Sequence, residues 1–196
     1  MPGLDLKLIV GLGNPGPEHA RTRHNAGFWF VDALAGRYGG TVRPHARYSG
    51  DVGRLTIDGR ELWLLKPTTY MNRSGTAVRA LADYLKIEPG QTLVAHDELD
   101  LPVGTVRLKC GGGSGGHNGL KDLIAHTGDT FWRMRLGIGH PGNRGEVIDY
   151  VLRRAPAAEE GAIDAAVDEA VEAVLDLLRD GPDLVMNRLH RRQPPD

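Results

Sequence analysis

The sequence predicts a single α/β domain, a twisted mixed β-sheet flanked by helices, and three observations lead there. Short apolar runs of strand length, among them Leu8 to Val10 and Leu93 to Ala95, alternate with segments whose apolar residues recur at helical spacing. Gly and Pro punctuate the junctions. The 196 residues, 40% hydrophobic and 25% charged, suffice for one substantial core, and no linker or repeat divides them. One domain over residues 1–196 is therefore expected, with 190–196 as a frayed tail.

The first strand, Leu8 to Val10, is too short for a helix and is closed by Gly11, Gly13, Pro15, Gly16 and Pro17. A helix follows with Gly27, Phe30, Val31, Leu34 and Tyr38 on one face, stopped by Gly39 and Gly40. Tyr48 to Ile57 and Glu61 to Leu65 form two strands turned at Asp58-Gly59, a hairpin pair. A second helix begins near Asn72 and buries Val78, Leu81, Ala82 and Leu85; Asn72 is as good a helix cap as it is a functional group. Leu93 to Ala95 is a buried strand delivering His96 and Asp97 at its carboxyl end, where Asp97 either partners His24 or belongs to a solvated acidic turn with Glu98 and Asp100. Thr105 to Lys109 alternates as a strand and runs into Gly111 to Gly119, a loop that either holds an anion on exposed amides or is a flexible surface segment. A helix starts near Leu120, and Met134 to Ile138 is a further strand. Ile163 to Leu178 has the clearest helical periodicity, with an acidic opposite face, and Asp183 to His190 is a short final helix.

Gly11-Leu12-Gly13-Asn14-Pro15-Gly16 matches the dinucleotide fingerprint letter for letter. The match fails in context, because Pro17 and the polar Glu18 to Thr22 delay the helix, and Asp32 lies within the helix rather than after a second strand. A nucleotide-dependent oxidoreductase is thus a poor reading.

The net charge of −1 hides an asymmetry: Leu101 to Arg144 carries six Lys or Arg against two Asp, and Gly145 to Asp180 carries ten acids against three Arg. A near-neutral total does not exclude a polyanionic partner, since phosphate responds to the local field; the same charges would also serve as solvated surface. One cysteine, Cys110, excludes an internal disulfide and suits a reducing compartment. As a nucleophile, with His117 as base, Cys110 is disfavoured, because a small residue at a strand end fits the core equally well. The amino terminus lacks a basic region followed by a long apolar stretch, so a cytoplasmic protein without a membrane segment is expected.

The eight histidines show no metal-ligand spacing, and no G-x-S-x-G elbow is present. What remains is His24 at a helix start, where it is expected to be exposed, Asp97 at a strand end, and Asn14, Asn72 and Asn118 on separate loops. Such a set suffices for hydrolysis without a covalent intermediate.

Five blocks in order, GLGNPG with TRHNAGF, KPTTYMNRSG, HDELDLP, GGGSGGHNGLKD and RLGIGHPG, resemble the bacterial-type peptidyl-tRNA hydrolase family over roughly residues 7 to 190. The resemblance implies His24 as general base, Asp97 as its orienter, and Asn118 as the group that positions water or stabilises the oxyanion. It implies Asn14 and Asn72 as contacts to the peptidyl part, Tyr70 and Met71 lining the peptide side, and His117 near the 3′ end of the RNA. Arg107, Lys109 and Arg135 match basic positions for tRNA phosphates. Ser114 departs from the pattern, since many relatives carry His there. The implied reaction releases a peptide from peptidyl-tRNA, by a monomer that needs no metal or cofactor. The competing reading is an RNA-binding protein of the same fold that has no hydrolytic activity. A lost His or Asn, or an added hydrophobic surface for a partner, would mark that alternative, and the sequence shows neither; the most informative observation is whether His24, Asp97, Asn14, Asn72 and Asn118 converge in one cleft.

Overall fold

The computed structural model describes residues 2–191 and contains one seven-stranded mixed sheet with helices on both faces. The strands are β1 (Leu8–Gly11), β2 (Thr41–His45), β3 (Gly50–Ile57), β4 (Arg60–Pro67), β5 (Thr92–Glu98), β6 (Val106–Cys110) and β7 (Trp132–Gly137). The helices are α1 (Ala26–Arg37), α2 (Ser74–Leu85), α3 (Asn118–Thr127), α4 (Val147–Val151), α5 (Ala157–Asp180) and α6 (Pro182–Arg191). The sheet order is β2-β3-β4-β1-β5-β7-β6, with β4, β1, β5 and β7 mutually parallel and β2, β3 and β6 antiparallel to their neighbours.

The central strands are apolar on both faces because helices cover both. Ile9, Leu64, Leu93 and Leu136 pack with Phe30 and Leu34 of α1 and Val167 and Val174 of α5. Leu8, Val10 and Val94 pack on the opposite side with Val78 and Leu81 of α2 and Leu120 and Leu123 of α3. From β1 the chain winds to one side of the sheet and returns through β5 on the other, so the crevice at the carboxyl ends of β1 and β5 is the topological switch point. The approach of α1 to that crevice depends on Gly27, where a Cβ would lie 2.4 Å from the Ala95 carbonyl oxygen.

The hairpin at Asp58-Gly59 forms with φ of 52° and 74°, the paired positive values of a type I′ turn. The expected strand from Tyr48 begins only at Gly50, since Ala46–Tyr48 is a 3-10 turn. The edge strand β2 escapes sequence reading because its TVRPH carries no alternation, being half-buried only at Val42, and includes a proline. The helix expected near Asn72 starts at Ser74 after a 3-10 turn, Met71–Arg73. Asn72 does not cap it; a first-turn amide, Gly75 N, instead donates to Asp122 Oδ2 of α3 at 2.8 Å. Of the expected frayed tail, His190 and Arg191 belong to α6, and residues 192–196 lie outside the described residues. Among the described residues, no helix is long and apolar enough to cross a membrane.

Candidate active site

Asp97, on β5 and 2% exposed, is the hub of the crevice. His24 Nδ1 lies 2.8 Å from Asp97 Oδ2, and His117 Nε2 lies 2.8 Å from Asp97 Oδ1. His117 Nδ1 accepts from the amides of Gly119 and Leu120 at the start of α3. A nitrogen that accepts two N–H groups carries no proton, so the His117 proton sits on Nε2 and points at the carboxylate. An ionised carboxylate only accepts, so His24 donates its Nδ1 proton to it and keeps Nε2 without a partner among the described residues. Behind them His96 Nδ1 donates to the Asp97 backbone oxygen at 2.8 Å, and its ring meets His117 edge-on at 5.2 Å.

His24 is not exposed, contrary to expectation: the 3-10 turn Arg23–Asn25 tucks the ring under β5, where its residue exposure is 8%. Burial opposes the imidazolium, but the Asp97 charge and hydrogen bond outweigh it, so the His24 pKa is raised above 6.5. For Asp97 burial pushes upward and the two imidazoles pull down harder, holding it well below the usual carboxylate range. Burial, with His117 alongside, lowers His96 to about 3, so it is neutral at any physiological pH.

A cleft of about 390 Å³ opens beside this group. Asn14, His24, Asn72, Asp97 and Asn118 all line it, so the five residues meet as required; Tyr70, Met71 and His117 line it too. Asn14 is aimed by its neighbours. Its Oδ1 accepts from Met71 N at 2.8 Å, and its backbone exchanges two hydrogen bonds with the Asn25 side chain, at 2.8 and 2.9 Å. The amide Nδ2 is thus the polar group Asn14 has left. Asn72 and Asn118 are exposed, and Tyr70 is 66% exposed. The larger cavity, about 680 Å³ between α2 and α3, contains none of these groups.

Sequence reasoning missed two parts of the site. Asn25 stands in the quoted TRHNAGF block, but only its place opposite Asn14 reveals a use. The other is an apolar wall, Val147, Ile148, Val151 and Leu152 from α4 and its end, with Leu99 opposite. Ile148 is 69% exposed, a signal visible only in three dimensions because α4 is a turn and a half long.

The basic residues divide. Lys109 is exposed, and its side chain has no ion-pair or hydrogen-bond partner among the described residues. Arg107 donates to the Leu189 oxygen of α6 at 2.8 Å, and Arg135 pairs with Glu98 at 2.7 Å, so both already have internal partners. Arg133 grips the carbonyls of Gly112 and Gly113, anchoring the glycine-rich loop. Cys110 is exposed on the edge strand with Sγ 3.6 Å from Thr130 O, outside the cleft. Ser114, within the loop, has its carbonyl accepting from His117 N at 2.9 Å.

His24, Asp97 and His117 present ligand-type atoms within 4.8 Å of one another, a cluster that sequence spacing does not disclose. The two ring nitrogens that face Asp97 bear protons in its hydrogen bonds, so a metal there would have to displace both.

The chain matches the family described as peptidyl-tRNA hydrolase over residues 8–196. It is 53% identical over 189 residues to a peptidyl-tRNA hydrolase of Edwardsiella ictaluri, covering 95% of this chain and 96% of that one. With the Tolumonas auensis peptidyl-tRNA hydrolase it shares 55% over 187 residues, 94% of this chain and 95% of the relative. The crystal structure of peptidyl-tRNA hydrolase from Acinetobacter baumannii superposes with a TM-score of 0.95 at 47% identity, over the whole of both chains.

Proposed function

The chain belongs to the peptidyl-tRNA hydrolase family and hydrolyses the ester joining a peptide to tRNA, and from that premise we propose that His24 is its general base and Asp97 the group that orients it. The observation that carries the assignment is the 2.8 Å bond from His24 Nδ1 to Asp97 Oδ2, which leaves Nε2 as the free basic nitrogen beside the cleft. Water attacks the ester carbonyl as His24 Nε2 takes its proton; the imidazolium is stabilised by a carboxylate that stays ionised. The proton then passes to the departing ribose oxygen. Asn118, at the first turn of α3, donates to the developing oxyanion or positions the water. His117 has both nitrogens engaged within the protein, so its contribution at the RNA 3′ end is through the ring and through its hold on Asp97.

Asn14 and Asn72 bind the peptide amide next to the ester, with Tyr70 and Met71 alongside. A free aminoacyl-tRNA has a charged amine there, which mismatches the carboxamides; discrimination in such polar sites reaches ~10⁴ where several groups act. Lys109 meets a tRNA phosphate, and Arg107 and Arg135 contribute to the same basic face. The protein acts as a monomer, in the cytoplasm.

The experiment that tests this division is kcat/KM for N-acetylated and free aminoacyl-tRNA at several salt concentrations. Asn14→Ala and Asn72→Ala are expected to narrow the preference for the blocked substrate without altering the salt slope. Lys109→Ala is expected to raise KM and flatten the slope by about one phosphate contact. An unchanged slope would move the tRNA path away from β6.

Chelation bears on the His24-Asp97-His117 cluster directly. Incubation with EDTA is expected to leave hydrolysis intact, because an imidazole base needs no metal to activate water. Activity lost to EDTA and restored by one divalent metal would make the cluster a metal site.

A further inference from the structure

Arg23 precedes His24 in the same 3-10 turn but faces the other way, toward α4 and α5. Its guanidinium lies 3.8 Å from the centre of the Tyr150 ring, Nη1 donates to the Tyr150 carbonyl oxygen at 2.9 Å, and Nη2 pairs with Glu159 at 3.4 Å. The residue is 6% exposed, and its Nε is buried without a partner among the described residues. A cation buried to this degree, with one donor unmet, is costly unless its place is needed. Around it the Arg23 amide donates to the Arg153 oxygen at 3.1 Å, Thr22 bridges to Arg154, and the Tyr150 hydroxyl donates to the Ile138 oxygen at 2.6 Å.

These contacts join two things that the chain separates by more than a hundred residues. The turn that holds the base is fastened to the end of α4, and α4 presents Val147, Ile148 and Val151 to the cleft. The Tyr150 carbonyl accepts from Arg153 N at 3.3 Å as well as from Arg23, whose guanidinium also stacks on the Tyr150 ring, so Arg23 grips the end of α4 through both main chain and side chain.

We propose that Arg23 is a positioning residue that sets the α4 wall at a fixed distance from His24, and that this wall seats the apolar side chain of the amino acid whose ester is cleaved. The inference rests on the reading that the cleft holds the peptidyl ester. The ester carbon must lie near His24 Nε2, so the side chain on the adjacent carbon falls within reach of one cleft wall. The α4 wall offers two exposed aliphatic side chains to the cleft, Ile148 at 69% and Leu152 at 40%, whereas the other exposed apolar group lining it, Tyr70 at 66%, is an aromatic placed alongside the peptide. Loss of Arg23 frees α4 without touching Asp97, so binding of a large apolar side chain weakens while the chemical step continues.

The test is a set of single-turnover measurements with N-acetyl-Phe-tRNA and N-acetyl-Gly-tRNA on the unaltered protein, Arg23→Ala, Arg23→Lys, Tyr150→Ala and the double variant Arg23→Ala with Tyr150→Ala. Arg23→Ala is expected to raise the half-saturating concentration for the Phe ester by about tenfold, the range for apolar side-chain contacts, and that for the Gly ester less than twofold. Maximal rates and pH profiles should stay within about threefold of the parent. Arg23→Lys should recover part of the loss, and the double variant should be no worse than the poorer single one, since both changes release the same contact. Should Arg23→Ala not fold, Arg23→Lys takes its place in the cycle under the same criterion. Equal losses for both esters, a fall in maximal rate alone, or additive effects at Arg23 and Tyr150 would overturn the proposal. Failure of the underlying reading is separate, since it would show as near-parent hydrolysis of both esters by His24→Ala.

Discussion

Asp97→Asn is expected to lower the single-turnover rate by about 10⁴-fold, the scale seen when a catalytic histidine is held in the wrong tautomer. In the sequence Asp97 has one visible partner, His24. The structure gives it two: each carboxylate oxygen accepts one N–H, from His24 and from His117. An asparagine offers one acceptor and one donor, so one of the two imidazoles must move its proton. Moving it on His117 would place a proton on Nδ1 and break the bonds from Gly119 N and Leu120 N, about 1 kcal/mol each. The cheaper change is at His24, where the proton shifts to Nε2, the nitrogen that must accept one from water. Hydrolysis of an N-acetyl-aminoacyl-tRNA measured beside a thermal melt checks this; a loss under about tenfold in a folded variant would contradict it.

His24→Ala is expected to remove at least ~10²-fold of the rate, the usual share of a positioned base. The residual activity should come from Asn118 and from binding, which the change leaves in place. Folding is not expected to be untouched, since His24 is buried and its loss removes a donor from a buried carboxylate. A penalty of roughly 1–3 kcal/mol follows, limited because His117 still holds the other oxygen. A cooperative melt at somewhat lower temperature, with cleavage down a hundredfold or more, is the expected pair of results. Near-normal cleavage would remove His24 from the mechanism.

How much of this was legible in the sequence follows from which interactions are local. Strands and helices of strong periodicity, β1, β5, α1 and α5, are written in local patterns, and so is the Asp58-Gly59 turn, whose two residues accept positive φ. The resemblance brought out His24, Asp97 and the three asparagines, and the fold brings them into one cleft. The double use of Asp97 was not legible, because His24 and His117 reach its two carboxylate oxygens from sequence separations of 73 and 20 residues. The burial of His24 was hidden likewise: a helix start suggests exposure, and only the packing of the Arg23–Asn25 turn against β5 reverses it. Arg107 and Arg135 look alike with Lys109 in a basic stretch, yet the first two have partners in α6 and at Glu98, on elements that no local pattern associates with them. The edge strand β2 and the short α4 lack the periodicity by which elements are found.

The most direct measurement of the central claim, that His24 held by Asp97 takes the proton from water, is the pH dependence of the single-turnover rate from about pH 5 to about pH 8.5. Only the neutral imidazole accepts a proton, and burial and Asp97 together leave its pKa raised above 6.5. Asp97 is ionised across that range, and His96, at about 3, is neutral across it, so neither adds a limb. The predicted result is a rate that rises with pH through one apparent pKa above 6.5 and then levels, with that limb absent from the residual activity of His24→Ala. A flat profile, a limb below 6.5, or the same limb surviving in His24→Ala would contradict it.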